Sequence, residues 1–106
     1  MITHAFTMQL KPGFEEEYKR RHDAIWPELQ ELLAESGIEE YYIYLHEQTG
    51  TLFAFQKLMA GHTTASLPEH PVVKKWWNYM ADIMNTHPDH SPVENRLKEV
   101  FRLDTK

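Results

Sequence analysis

An α+β fold with elements in the order β-α-β-β-α-β is what the sequence predicts, and three features predict it. Two runs rich in aromatic and apolar residues, EYYIYLHE (40–47) and TLFAFQKL (51–58), are split by QTG, the pattern of a β-hairpin. Two long stretches with helical spacing, 14–36 and 71–84, flank that hairpin. Short extended runs stand outside them, ITHAFTMQL (2–10) and LKEVFRL (97–103). This order is the split βαβ, or ferredoxin-like, sandwich: a four-stranded antiparallel sheet with both main helices on one face.

Each element has its own signal. In the first strand Ile2, His4, Phe6, Met8 and Leu10 fall on one face, and KPG (11–13) punctuates its end. The first helical stretch carries Phe14, Tyr18, His22, Ile25, Leu29, Leu32 and Leu33 on a common stripe. Pro27 interrupts it: the proline lacks the N–H that would reach the carbonyl of Asp23, and its ring crowds that carbonyl. A kink or restart is therefore expected near residues 23–27. Ser36-Gly37 supplies the stop, with Gly37 as C′ residue. The polar stretch MAGHTTASL (59–67) has room for a short helical turn. Val72, Val73, Trp76, Trp77, Met80, Ile83 and Met84 then repeat at helical spacing, and NTHPDHSPVEN (85–95), with two prolines, is a loop.

The hairpin is apolar on both faces. Tyr42, Tyr44, Phe53 and Phe55 point one way; Tyr41, Ile43, Leu45, Leu52, Ala54 and Leu58 point the other. Two helices cover one face of a sheet, and a solvated second face should alternate with polar residues. The expected cover is the same sheet of a second copy, a two-fold homodimer in a dimeric α/β-barrel assembly.

A chain of 106 residues fits one domain, 1–106, large enough to bury a core without staples. With no Cys, disulfides, thiolate metal sites and Cys nucleophiles are excluded. No secretory leader is visible in MITHAFTMQL and no run approaches the roughly 18 apolar residues of a membrane span, so the cytoplasm is the expected location. Eleven basic against sixteen acidic residues give −5, which argues against generic nucleic-acid binding. Three Trp, five Tyr and seven His suit a small-molecule pocket.

Within that frame Tyr18 and His22 sit one turn apart on the first helix, about 5–6 Å at Cβ. If the helix breaks before Pro27, His22 lies near a helix C-terminus, where partial negative charge favours the imidazolium, a proton donor. Simple core packing of an aromatic pair is the alternative. Arg20 and Arg21 read as a solvated face. Trp76 and Trp77, about 100° apart on their helix, cannot share one direction: one indole packs on the sheet while the other is free to border a cleft, where its flat face suits a sugar ring. Packing of both in the core stays open. The histidines of HPDH (87–90), and His4, His46, His62 and His70, show no metal-ligand spacing. There is neither a Gly-rich phosphate loop nor a G-x-S-x-G elbow.

Five blocks, MQLKPGFEEEYKRRHDAIWPEL, YYIYL, KKWWNYMADIM, HPDHSPV and LKEVFRLD, together resemble the L-rhamnose mutarotases, in the same order and spacing from Met1 to about Leu103. Residues 59–67 depart from the family's pattern, which has a more helical, charged segment with a Trp there. The resemblance implies a cofactor-free isomerase that interconverts the anomers of L-rhamnose, built as a homodimer of ferredoxin-like subunits. It also implies that His22 is the catalytic proton donor and that Tyr18, Tyr41, Trp76 and Trp77 contact the sugar. Two other readings use the same fold: an oxygenase acting on haem or aromatic compounds, and a sugar-binding module without turnover.

Overall fold

The computed structural model describes residues 2–105. Four strands, β1 (Ile2–Gln9), β2 (Ile38–His46), β3 (Thr51–Leu58) and β4 (Asn95–Arg96), form one sheet in the order β2-β3-β1-β4. All three pairings are antiparallel. The helices are α1 (Glu15–Asp23), α2 (Pro27–Glu35) and α3 (Pro71–Met80), with 3₁₀ turns at Thr64–Glu69 and Ala81–Ile83. The βαββαβ order expected from the sequence is borne out, with the first helix in two pieces.

Pro27 explains the division. It occupies the first turn of α2, where a missing N–H costs nothing, and Trp26 before it is extended at ψ 131°. Helix α1 ends at Asp23, and the N–H groups of Ala24 and Ile25 turn back to the carbonyls of Arg20 and His22 at 3.2 Å. At the far end of α2, Gly37 adopts φ +99°, and a Cβ there would come within 2.7 Å of His62 Cβ. Only glycine fits this stop.

The alternation of β1 and β3 buries Phe6, Met8, Leu52, Ala54 and Leu58 under the helices, and Leu10 just beyond β1 joins them. Tyr18, Met80, Ile83 and Met84 close the same core from above. The opposite face carries Tyr42, Tyr44, Phe53 and Phe55. Tyr44 is 65 % exposed, and Tyr42 stacks on Phe55 across the hairpin at 5.5 Å.

The sequence predicts a last strand over 97–103, and at this point the structure differs. Only Asn95 and Arg96 pair with Thr7 and Phe6, and one more bond, Leu97 N–H to the Ala5 carbonyl, continues the edge. Beyond it Val100, Phe101 and Leu103 are 88, 77 and 71 % exposed. In an extended chain Leu97, Phe101 and Leu103 share one side with Glu99 among them, and Val100 falls on the other.

Arg21 also departs from expectation. Rather than lying on a solvated face it is buried, with its guanidinium 2.6 Å from Glu17, 2.9 Å from Asp82 and 2.7 Å from the Tyr79 carbonyl, and 4.5 Å above the Tyr79 ring. It ties α1 to the C-terminal end of α3. Arg20 does face solvent, paired with Glu17.

Leu52→Ala removes a side chain that is 1 % exposed at the centre of this core. The expected loss is about 3 kcal/mol of unfolding free energy, read from the urea midpoint at unchanged slope.

Candidate active site

A cleft of about 1880 Å³ lies between the helices and one end of the sheet. It is bordered by Tyr18 and His22 from α1, Tyr41 from β2, and Trp76 and Trp77 from α3. All five residues singled out in the sequence therefore reach one cavity. The 3₁₀ turn contributes Thr64, Leu67 and Pro68, so the atypical 59–67 segment shapes part of the wall.

His22 is fixed from three sides. Its Nδ1 lies 3.0 Å from the backbone carbonyl of Tyr18, one turn back. A carbonyl only accepts, so Nδ1 carries the hydrogen and donates it. The phenol of Tyr18 stacks on the imidazole at 4.2 Å and 27°, and the Trp76 indole meets it edge-on at 5.4 Å and 87°. No buried side-chain polar atom among the described residues lacks a partner. Nε2 of His22, which has no hydrogen-bond partner among the described residues, is therefore open to the cleft.

The charge state of His22 differs from the expectation. Desolvation between two aromatic rings lowers its pKa below the ordinary 6.5, and it outweighs the Tyr18 carbonyl and the Asp23 carboxylate, which act the other way. The helix-end effect on an exposed group is about 0.3–1 kcal/mol, and α1 has nine residues. Burial is the larger influence, and the resting side chain is the neutral Nδ1–H tautomer with a lone pair on Nε2.

The two phenols stay protonated. Burial raises Tyr18 far above its usual range, and the neighbouring Tyr41 raises it further. Tyr41 is 38 % exposed as a residue, yet its hydroxyl end sits within the crowded cleft: desolvation and the nearby Glu94 push it up to about 12, while a hydrogen bond with Gln56 acts in the opposite sense.

The tryptophans divide their work. Trp76 packs against the core and sits at the hub of an aromatic cluster, 5.1 Å from Trp26 and 5.6 Å from Tyr79. Trp77 is half-buried and borders the cleft without belonging to that cluster. Both indoles reach the cleft edge, which the 100° separation alone did not suggest.

His4, Gln56 and Glu94, not singled out in the sequence as site residues, also line this space, and Trp26 supports Trp76 from behind the cleft wall. A signal existed for two of them. His4 and Gln56 are the polar members of otherwise apolar inward stripes, Phe6-Met8-Leu10 and Leu52-Ala54-Leu58. Glu94 had none, because it depends on how the 85–95 loop returns to β4. Among the described residues no three or more histidines and carboxylates converge in a way that could hold a metal ion.

Comparison with known proteins identifies the family and the fold. The family model for L-rhamnose mutarotase matches residues 3–103. An L-rhamnose mutarotase of Flavobacterium johnsoniae is 60 % identical over 97 % of this chain and 96 % of its own length. One from Rhizobium johnstonii is 62 % identical over 94 % of each. The crystal structure of an L-rhamnose mutarotase from Formosa agariphila superposes with a TM-score of 0.91 at 47 % identity, covering 98 % of this chain and 100 % of the other. A Mycobacterium tuberculosis protein at 13 % identity and TM-score 0.60 shares the fold alone. The extent and identity of these matches, over the same blocks that hold the cleft residues, place the chain in the L-rhamnose mutarotase family.

Proposed function

We propose that this chain interconverts the α and β anomers of L-rhamnose, with His22 carrying the proton and Tyr18, Tyr41, Trp76 and Trp77 holding the sugar. The observation that carries this reading is the His22 Nδ1–Tyr18 carbonyl contact, which leaves a basic Nε2 facing a cleft edged by indoles.

Opening a pyranose moves one proton, from the anomeric hydroxyl to the ring oxygen, while the C1–O bond to the ring breaks and the aldehyde forms. Both oxygens hang on the same carbon. Neutral His22 takes the proton from the hydroxyl at Nε2 and, now an imidazolium, gives it to the ring oxygen. The donor role implied by the family resemblance is thus filled by an acid generated within the turnover. Rotation about C1–C2 and the reverse transfers close the ring on the other face. Chemistry that moves only protons needs no redox or group-transfer cofactor. The phenols, held protonated, orient hydroxyls, and an indole face covers the C–H surface and the methyl group of a 6-deoxy sugar.

Two copies of the chain are inferred to pair through the sheet faces carrying Tyr42, Tyr44, Phe53 and Phe55, with Val100, Phe101 and Leu103 adding apolar surface that a single chain leaves in water. We place the protein in the cytoplasm, in keeping with a Cys-free sequence and the absence, among the described residues, of any helix long and apolar enough to cross a membrane. We assign it no nucleic-acid partner, in keeping with its net charge of −5.

Saturation-transfer NMR on the anomeric protons of L-rhamnose tests the activity. The wild type should accelerate exchange above buffer, and His22→Ala should lose at least about 100-fold of that acceleration. Binding without faster exchange would mark a sugar-binding module instead.

The pH profile tests the proton role. The neutral imidazole is the starting form and its pKa is lowered. Buffer-corrected activity should therefore be full at neutral pH and fall only as pH drops through a midpoint below 6.5. Activity that rises on acidification through that range would remove His22 from the role of proton acceptor.

Sedimentation at micromolar concentration should show a dimer. Tyr44→Glu, which places a carboxylate on the open face, should shift it toward monomer.

A further inference from the structure

Across β2, β3 and β1 the inward face of the sheet is apolar except along one row, and at the β4 edge Arg96 sits opposite Phe6. The register sets Tyr41 opposite Gln56, and Gln56 opposite His4. The next rows, Ile43-Ala54-Phe6 and Leu45-Leu52-Met8, hold no polar side chain. All three members of the polar row line the cleft. Its second polar contribution comes from the far edge of the sheet. There the 85–95 loop is folded back by the His87 N–H to Ser91 carbonyl bond at 2.8 Å and the Val93 N–H to Asn85 carbonyl bond at 3.2 Å. This return places Pro92 and Glu94 on the cleft immediately before β4.

These groups share the cleft with Tyr18: Tyr41 and Gln56 are cross-strand neighbours, and Glu94 comes to the same space from the loop. The Tyr41 phenol is raised by burial and by the Glu94 charge, and Gln56 acts in the opposite sense. Tyr18 in turn stacks on His22. A polar track therefore runs from the proton carrier to an amide and a carboxylate that the proton transfer does not use. A sugar with its anomeric end at His22 carries its remaining ring hydroxyls away from that residue. Burying them against apolar walls without partners would cost about 1–3 kcal/mol each. A carboxylate accepts from hydroxyls, and a primary amide both donates and accepts.

We propose that Glu94 and Gln56 bind the ring hydroxyls remote from the anomeric carbon, with Tyr41 between them. This assignment rests on the sugar reading above. Glu94 lines the cleft, and desolvation of its carboxyl raises its pKa against the opposing influence of His87. Tyr41 on β2 lines the same cleft, while His4 and Arg96 are the other ionisable side chains along this end of the sheet. The contribution of Glu94 is to affinity and hydroxyl selection rather than to the proton transfer.

The test is a titration of the full-length protein with L-rhamnose, followed by ligand-observed saturation-transfer difference NMR, beside the anomeric exchange rate at saturating sugar. Glu94→Gln and Gln56→Leu should each raise the dissociation constant about tenfold and leave the saturating rate within about threefold of wild type. Gln56→Leu puts an apolar residue in an apolar stripe and keeps the fold, so the proposal stays testable if a Glu94 variant does not. Unchanged dissociation constants would overturn the assignment. So would a collapse of the saturating rate at unchanged affinity. A wild type that binds L-rhamnose but does not accelerate its exchange would sink the mutarotase reading alone, since the affinities still judge Glu94 and Gln56.

Discussion

The break at residues 24–26 is the constraint on which the rest of the cleft depends. Without it, residues 15–35 would form one straight rod about 31 Å long. The eight-residue strand β1 beneath spans only about 27 Å. Pro27 ends α1 just past His22 and starts α2 in a new direction, so both halves stay on the sheet. The extended Trp26 between them turns its indole to within 5.1 Å of Trp76 and 5.6 Å of Tyr79. The same three-residue interruption thus places the imidazole and assembles the aromatic cluster beside it.

Arg21 makes that arrangement rigid. Its guanidinium bridges Glu17 on its own helix, Asp82 and the Tyr79 carbonyl beyond the cleft, and covers the Tyr79 ring. Asp82 remains largely solvated, so the pair is not an isolated charge buried in the core. The contact couples the end of α1 to the end of α3, the helix that carries both tryptophans. Movement of Trp76 relative to His22 therefore requires rearranging charge-assisted hydrogen bonds, not merely sliding apolar surfaces. This supports an imidazole held at one angle to the substrate, which a single proton carrier serving two oxygens on one carbon requires.

Much of this was legible in the chain because local rules and tertiary demands agree. The hairpin, the Gly37 stop, the Pro27 restart and the Tyr18–His22 spacing are each dictated within a few residues. Failures came where the deciding partner is remote. Arg21 reads as surface until Asp82 and Tyr79 arrive from sixty residues away. At His22 helix-end polarity is visible in sequence, whereas the burial that lowers its pKa is not. The tail at 97–103 has the apolar content of a strand, but β1 offers it an edge for only three residues.

The two faces of the sheet follow from one alternation yet solve different problems. Outward positions of the hairpin hold Tyr42, Tyr44, Phe53 and Phe55, large rings that stack along one patch. Inward positions at the centre of the sheet hold Ala54, Leu52, Phe6 and Met8, and the row beside them brings Tyr41, Gln56 and His4 together. Had the strands slipped by one residue, every ring of the patch would enter the core and every group of the polar row would enter water. The packing of Leu52 and Ala54 with Tyr18 of α1 and Met80 of α3 thus fixes more than stability. It holds the register that keeps a polar row under His22 on one face and an uninterrupted aromatic patch on the other.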